Sequence, residues 1–161
     1  MVEKRKCVFS GTFDPPTLGH KAVVDSAKEI FDEVVVAVMV NPAKAPYFSK
    51  EERTEMLKRT FGEDPKIKIL FSDLTVADLL EEIGTKFYVR GIRNTVDFEY
   101  ENVNFFATKK INPNAIPVYL PCPQELLHVS SSMVKNCLKF HKPIDEYVTK
   151  ETLEYIQSLR K

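Results

Sequence analysis

The sequence has no tryptophan, only five glycines and three cysteines, and no excess of charge of either sign. Cys7, Cys122 and Cys137 lie far apart and form no CxxC pair. Scattered cysteines in odd number argue against a disulfide framework and a structural zinc site, and are typical of a reducing compartment. The 23 basic residues balance 23 acidic ones, which argues against a basic field of the kind that binds nucleic acid or an anionic membrane. Any anion must therefore be bound by local groups.

Long apolar runs are also missing. The longest, Val34 to Val40, is far shorter than a membrane-spanning segment, and the basic start "MVEKRK" is followed by only three apolar or thiol residues before Ser10. We therefore expect a cytoplasmic protein without a membrane partner. The 161 residues, 43% of them hydrophobic, are enough for one core, so we predict a single domain over residues 1–161.

Apolar residues follow two alternating patterns along the chain. Short apolar runs predict five strands, and the stretches between them carry apolar residues at helical spacing. A run that is apolar on both faces, such as Glu33–Val40, needs helices on both sides of its sheet. The sequence therefore predicts an α/β fold with a doubly wound, Rossmann-like five-stranded parallel sheet and helices on both faces. The predicted strands are Cys7–Phe9, Glu33–Val40, Lys66–Phe71, Lys86–Gly91 and Ala115–Pro121, and the predicted helices include Val23–Phe31, one after the capping box at Ser49, Ala77–Ile83, Val96–Ile111, one from Ser130, and Lys150–Leu159.

Two of the five glycines fall in "SGTFDPPTLGH", Ser10 to His20, between the first predicted strand and helix. Sheets of this kind bind ligands beyond the carboxyl ends of their strands. Thr17 is the expected N-cap, Gly11 lets the backbone approach a ligand, and Gly19 keeps the first helical turn bare. His20 lies near the positive end of the helix dipole, where a protonated imidazole is disfavoured unless an anion offsets it. We predict a phosphate-binding segment; the alternative is a loop whose glycines only make turns and whose histidine caps a local group.

Two arginines follow the fourth predicted strand, with a glycine between them. The planar forks of Arg90 and Arg93 suit phosphate binding, and Gly91 lets the backbone approach too. The alternative is that they form ion pairs with Asp97 or Glu99 on the next helix.

Three consecutive serines, Ser130, Ser131 and Ser132, precede the predicted fifth helix. Hydroxyls and free N–H groups at a helix N-terminus form an anion site. A plain N-cap would account for only one of the three, so we predict contacts with phosphates.

These segments together resemble a known family. The order Gly11-Thr12-Phe13-Asp14-Pro15 followed by Thr17-x-Gly19-His20 resembles the phosphate-binding T/HxGH signature of the nucleotidylyltransferase superfamily. The segments "VRGIRNTVDFEYE", "VSSSMVK" and "NPAKAPYF" are similar to those of the phosphopantetheine adenylyltransferases. That family transfers AMP from ATP to 4′-phosphopantetheine, giving dephospho-coenzyme A and pyrophosphate. The four motifs cover nearly the whole chain.

The resemblance implies a role for each matching residue. His20 would stabilise the α-phosphate in the transition state, and Lys44 and Arg93 would complete the catalytic set. The attacking phosphate is already ionised at neutral pH, so a direct in-line displacement needs donors and cations rather than a general base. The implied ATP site comprises Thr12, Phe13, His20, Gly91, Ile92, Arg93, Glu101, Leu126, Leu127, His128, Val129, Ser130, Ser131 and Ser132, and the implied phosphopantetheine site comprises Thr12, Lys44, Leu74, Thr75 and Arg90.

The resemblance also implies a cofactor and partners. No cluster of histidine, cysteine or carboxylate has metal-ligand spacing, so Mg²⁺ is expected to arrive bound through the ATP phosphates. The family forms hexamers, and Phe105, Phe106 and Ile111 on the long predicted helix are candidate contact residues unless they belong to the monomer's own core. Coenzyme A is the expected feedback inhibitor.

Some positions differ from the family's usual pattern. Ser10 stands where proline is common, Thr108-Lys109 replaces the usual Asn-Arg, and Leu126-Leu127-His128 stands where an aromatic residue is frequent. These differences bear on the packing of adenine and pantetheine. The alternative functions are another small nucleotidylyltransferase, acting on nicotinate mononucleotide or using CTP, and a non-catalytic nucleotide-binding module.

Overall fold

The computed structural model describes residues 2–160 and contains the five predicted strands, each followed by a helix. All strand pairs are parallel. The predicted α/β class and the helix positions are confirmed, with boundaries that differ by a few residues. The elements are β1 (Lys6–Gly11), α1 (Leu18–Ile30), β2 (Glu33–Met39), α2 (Lys50–Phe61), β3 (Ile67–Ser72), α3 (Val76–Ile83), β4 (Phe87–Ile92), α4 (Thr95–Ile111), β5 (Ile116–Pro121), a 3₁₀ turn (Gln124–Leu126), α5 (Ser131–Lys139) and α6 (Lys150–Leu159).

The buried strand β2 has apolar residues on both of its faces. Val34 and Val36 pack in one cluster with Leu57 of α2, whereas Val35 packs in another with Leu80 of α3. Successive side chains of a strand point to opposite faces, so the two clusters lie on the two sides of the sheet. The predicted cover of helices on both faces is confirmed.

A third apolar cluster joins the last two helices to α2. Val134 and Leu138 of α5 pack with Ile156 of α6, Met56 of α2 and the ring of Phe48. This cluster packs α5 and α6 against α2 and anchors the end of the loop between β2 and α2.

The strand order β3-β2-β1-β4-β5 places the switch of chain direction between β1 and β4. At such a switch point the connecting segments diverge and open a crevice at the carboxyl ends of the strands. The N-termini of α1 and α5 lie beside this crevice, since residues from both line it.

Helix α4 is mostly exposed, and Glu101 is its buried residue. Phe105 packs against the cluster that contains Leu80, but Phe106 is 61% and Ile111 56% exposed. Phe105 therefore belongs to the monomer's core, whereas Phe106 and Ile111 remain on the surface as candidate contact residues. Within residues 2–160, no helix combines the length and the apolar character needed to cross a bilayer.

Candidate active site

The side chain of His20 belongs to the cap of α1. Thr17 is the N-cap, as predicted, and its side chain accepts the N–H of His20. The imidazole Nδ1 accepts the N–H of Thr17 at 3.0 Å. Because Nδ1 is an acceptor, the proton of the neutral ring resides on Nε2. The cap thus sets His20 as a neutral hydrogen-bond donor through Nε2.

The surroundings of His20 keep its ring neutral. The pKa of His20 is lowered from 6.5 to about 4, mainly by burial and also by the positive charges of Arg90 and Arg93. The ring also meets the edge of Phe13, with centroids 4.9 Å apart. The imidazolium is disfavoured as expected, but the causes are burial and the two arginines rather than the helix dipole.

The ring of Phe13 packs against the ring of His20. Its ring is 1% exposed and its backbone has a φ of +47°, a left-handed conformation that costs a bulky residue of the order of 1–3 kcal/mol. The burial of this ring and a hydrogen bond from Arg53 Nη1 to the carbonyl of Thr12, at 2.8 Å, hold the segment in place.

A central cavity of about 320 Å³ opens at the carboxyl ends of β1 and β4. The structure brings together ten of the residues predicted for the ATP and phosphopantetheine sites. They are Thr12, Phe13, His20, Arg90, Gly91, Arg93, Glu101, Val129, Ser130 and Ser131.

The two arginines of the central cavity are each held by a carboxylate. Arg93 donates through its backbone N–H, Nε and Nη2 to Asp97 at 2.9–3.2 Å, which is one of the ion pairs that the sequence left open. Arg90 instead donates to Glu101 at 2.9 Å and to the carbonyl of Ser10 at 2.6 Å. Burial alone would raise the pKa of Asp97, but the Arg93 hydrogen bonds bring it below its ordinary value. Because both side chains are already ordered, binding a ligand costs little side-chain entropy.

Gly91 allows close packing of α1 on β4. A Cβ built at Gly91 would lie 2.7 Å from Cγ2 of Val23 and 3.4 Å from the sulfur of Cys122. Val23 is buried and β-branched, so it has little freedom to move aside. The missing side chain therefore lets α1 approach the sheet, in addition to any approach of backbone to ligand.

The three serines have three different environments. Ser130 is the N-cap of α5 and its Oγ accepts the N–H of Met133. The hydroxyl of Ser131 donates to the carbonyl of Pro15 at 2.8 Å, which joins α5 to the segment before α1. Ser132 is exposed. As predicted, capping accounts for one serine of the three.

A second cavity, the Lys44 cavity, adjoins the central one and has a volume of about 190 Å³. Thr12 and Ser131 line both cavities. Three cations line the Lys44 cavity together with one carboxylate, whereas the central cavity has two arginines and two carboxylates. The charged residues of the Lys44 cavity are Asp14, Lys44, Arg53 and Lys135.

A third cavity, the Thr75 cavity, has a volume of about 280 Å³ and shares Arg90 and Glu101 with the central one. Thr75 is the N-cap of α3, with its Oγ1 accepting the N–H of Asp78. Tyr88 also lines this cavity, and its hydroxyl is buried. Burial raises the pKa of Tyr88 to about 12, so its hydroxyl stays protonated.

Some predicted residues lie outside the linings of these three cavities: Ile92, Leu74, Leu126, Leu127 and His128. Ile92 ends β4, Leu74 is 37% exposed, and the ring of His128 meets the edge of Tyr147. Among the lining residues that were not predicted, Arg53 had a signal: it lies one turn before Leu57 on the buried face of α2. The pairing of Asp97 was visible as an i, i+4 spacing from Arg93. No comparable signal marked the partners of Asp14 and Lys135.

Between Val2 and Arg160, no three histidine, cysteine or carboxylate side chains come together as a possible metal site. Asp97 and Glu101, the carboxylates of the central cavity, are bound to arginines. The donor set therefore fits a cation that brings oxygen ligands of its own, such as Mg²⁺ coordinated by phosphates.

A family comparison defines the class of protein to which this fold and site belong. Residues 8–137 match the family model described as cytidylyltransferase-like. A nicotinate-nucleotide adenylyltransferase assigned in Vibrio parahaemolyticus has a similar structure, with a TM-score of 0.71 and 22% identity over 97% of this chain and 93% of the other. This likeness shows the fold.

Sequence relatives narrow the class further. A phosphopantetheine adenylyltransferase of Dictyoglomus turgidum is 42% identical over 136 residues, or 84% of either chain. That of Bacteroides thetaiotaomicron is 35% identical over 144 residues, which are 89% of this chain and 95% of the relative. The chain belongs to the phosphopantetheine adenylyltransferase family. The resemblance identified from the four motifs is confirmed.

Proposed function

We propose that the protein transfers AMP from ATP to 4′-phosphopantetheine and releases dephospho-coenzyme A and pyrophosphate. The observation that carries the proposal is the neutral Nε2 donor of His20, which lines the central cavity together with Arg90 and Arg93. A donor of this kind stabilises negative charge that develops on a phosphate oxygen without having to lose or gain a proton.

The neighbouring cavities support a division between the two substrates. Arg90 lines the central and Thr75 cavities, whereas Arg93 lines only the central one of the three. We assign Arg90 to phosphopantetheine, with its arm toward the Thr75 cavity, and Arg93 to ATP. Thr12, shared by the central and Lys44 cavities, lies where the attacking phosphate would meet the α-phosphate. Lys44 is the cation that we assign to the attacking phosphate.

The reaction needs no general base from the protein. The second pKa of a phosphate monoester is about 6, so the attacking oxygen is ionised at neutral pH. His20, Lys44 and the arginines orient two polyanions and offset their repulsion, which are the main tasks in phosphoryl-type transfers. Mg²⁺, bound through the ATP phosphates, would neutralise part of their charge.

We expect the purified protein to convert ATP and 4′-phosphopantetheine to dephospho-coenzyme A. With ATP made chiral by sulfur at the α-phosphorus, a single in-line displacement inverts the configuration at phosphorus. Product analysis by mass spectrometry and phosphorus NMR measures both results. CTP in place of ATP, and nicotinate mononucleotide in place of phosphopantetheine, serve as controls and should give little product. Retention of configuration, or AMP trapped on His20, would contradict direct transfer.

We further propose a homo-oligomer, with the hexamer of the family as the expected state. On α4, Val96, Val103 and Phe106 are 61–70% exposed, and a run of exposed apolar side chains on one helix is typical of a subunit contact. Light scattering at micromolar concentration should give about six times the chain mass of 18.5 kDa. Val103→Lys should lower that mass, whereas a wild-type particle of one chain would contradict the proposal.

Two finer proposals concern regulation and location. Coenzyme A carries the same pantetheine arm as the product, so we propose that it competes at the Thr75 cavity as a feedback inhibitor. We place the reaction in the cytoplasm, where ATP is available and scattered thiols remain reduced.

A further inference from the structure

The buried carboxylate of Asp14 binds the backbone of a distant loop. Its Oδ2 accepts the N–H of Tyr47 at 2.8 Å, and its Oδ1 accepts the N–H of Phe48 at 2.9 Å. Asp14 is 3% exposed, so water does not compete for these bonds. The ammonium of Lys135 lies 3.6 Å from Oδ2. Both oxygens of the carboxylate are thus engaged with the loop that joins β2 to α2.

The same loop carries Lys44. Its ammonium has no hydrogen bond or ion pair to any residue that the structure describes, and its backbone N–H donates within the loop to the carbonyl of Asn41. Where the ammonium lies therefore depends on where the loop backbone is held. From Asn41 to Phe48, the backbone hydrogen bonds that tie the loop to another part of the chain are the two accepted by Asp14.

Burial of the Phe48 ring is a second attachment of the loop. The residue is 4% exposed and packs with Met56 and Val134. A buried ring fixes one point of a chain but leaves the preceding peptide units free to rotate. Two hydrogen bonds on successive N–H groups fix the direction of the backbone as well, which a lysine three residues earlier requires.

We propose that Asp14 is a positioning residue for Lys44. It holds the loop so that the Lys44 ammonium reaches the Lys44 cavity, and it pairs with Lys135 on the wall formed by α5. Asp14 acts through Lys44, because its two carboxylate oxygens are already engaged by the loop and by Lys135. The inference rests on the proposed function, in which Lys44 binds the attacking phosphate.

The test combines Asp14→Asn with Lys44→Ala. The asparagine keeps the shape of Asp14 but turns an amino group toward one of the two N–H donors. We expect amide exchange at Tyr47 and Phe48 to accelerate by roughly 10–100-fold, since hydrogen bonds to a charged acceptor are lost. A loosened Lys44 should lower kcat by roughly 10–100-fold, as small misplacements of a catalytic group do. In the Asp14→Asn background, Lys44→Ala should then have little further effect.

A matched control and a second variant separate positioning from stability. Asp64 also accepts a backbone N–H, from Lys66, and pairs with Lys28, so Asp64→Asn should cost some stability and leave kcat unchanged. Pro46 is exposed and lies between Lys44 and the tethered residues. Pro46→Gly should lower kcat while leaving the exchange at Tyr47 and Phe48 slow, and it tests the proposal even if Asp14→Asn fails to fold.

The outcomes distinguish the proposal from the function on which it rests. Unchanged amide exchange in Asp14→Asn, or equal effects of Lys44→Ala in both backgrounds, would show that burial of Phe48 is sufficient and would overturn the inference. If the wild-type protein makes no dephospho-coenzyme A, the proposed function fails. The exchange rates and tryptic cleavage after Lys44 would still report whether Asp14 holds the loop.

Discussion

Replacing His20 with alanine should lower kcat by roughly 10²–10³, the loss that follows removal of one transition-state donor. Apparent affinity for ATP should change little, because the hydrogen bond from Nε2 strengthens mainly as charge develops at the α-phosphate. Steady-state titrations of both substrates measure the two effects. A loss of ATP affinity with kcat intact would show that His20 binds the ground state.

The capping role of His20 requires a control for stability. Its Nδ1 accepts the N–H of Thr17, and loss of a cap costs typically about 1 kcal/mol. His20→Gln is the matched variant, because glutamine at this third helical position completes a capping box. We expect His20→Gln to recover thermal stability relative to His20→Ala while kcat stays far below wild type. Recovery of activity together with stability would assign His20 a structural role alone.

The pH dependence of His20 follows from its lowered pKa. The folded-state pKa of about 4 lies below the ordinary value of 6.5, so the unfolded chain takes up this proton first as the solution becomes acidic. The contribution of the neutral His20 ring to the free energy of unfolding is therefore fully present above pH 6.5 and is lost as the pH falls towards 4. Proton NMR of the ligand-free protein should give a His20 midpoint near 4 and a ring protonated at Nε2 at neutral pH. A midpoint near 6.5 would contradict the neutral donor.

The fold was predictable because its signals are local. The continuous β-branched run of β2 indicates burial on both faces. The start of α2 is marked by its capping residue, Ser49, and the start of α6 at Lys150 follows a helix-breaking residue. Boundaries shifted by a few residues where strands extend into ligand loops, as at Gly11. Strand order is not local, yet five alternating units leave few alternatives once crossovers are right-handed.

The site was predictable only as a set of residues. The motifs named the arginines, but their partners depend on which side chains the helices bring near. Arg93 pairs with Asp97 one turn away, which spacing could suggest, whereas Arg90 reaches Glu101 on α4 and the carbonyl of Ser10 on the neighbouring strand β1. The left-handed backbone of Phe13 and the tether made by Asp14 also depend on tertiary contacts. Sequence motifs identify the residue types of the site, whereas the orientation of their side chains depends on packing between distant parts of the chain.

Replacing each arginine with alanine should raise the KM of a different substrate. Arg90→Ala should raise the KM for phosphopantetheine by roughly 10–100-fold, and Arg93→Ala should raise the KM for ATP by a similar factor, because each loses a charged hydrogen bond worth about 1.5–3 kcal/mol. The other substrate's KM should change much less in each case. The reason is that Arg90 lies between the central and Thr75 cavities, whereas Arg93 lies on the central cavity alone among the three.

Orphaned carboxylates could imitate this result, so the matched variants remove them. The side chain of Glu101 is only 10% exposed, and a buried carboxylate left without its cation is strongly destabilising. Arg90→Ala with Glu101→Gln, and Arg93→Ala with Asp97→Asn, replace each pair by uncharged groups. The separation of the two KM values should persist in both double variants.

Arg90→Lys and Arg93→Lys should recover only part of the affinity, since an ammonium lacks the two-pronged geometry of guanidinium. Equal changes in both KM values for both arginines would instead mean that they serve one shared phosphate, and the division of substrates between the cavities would be wrong.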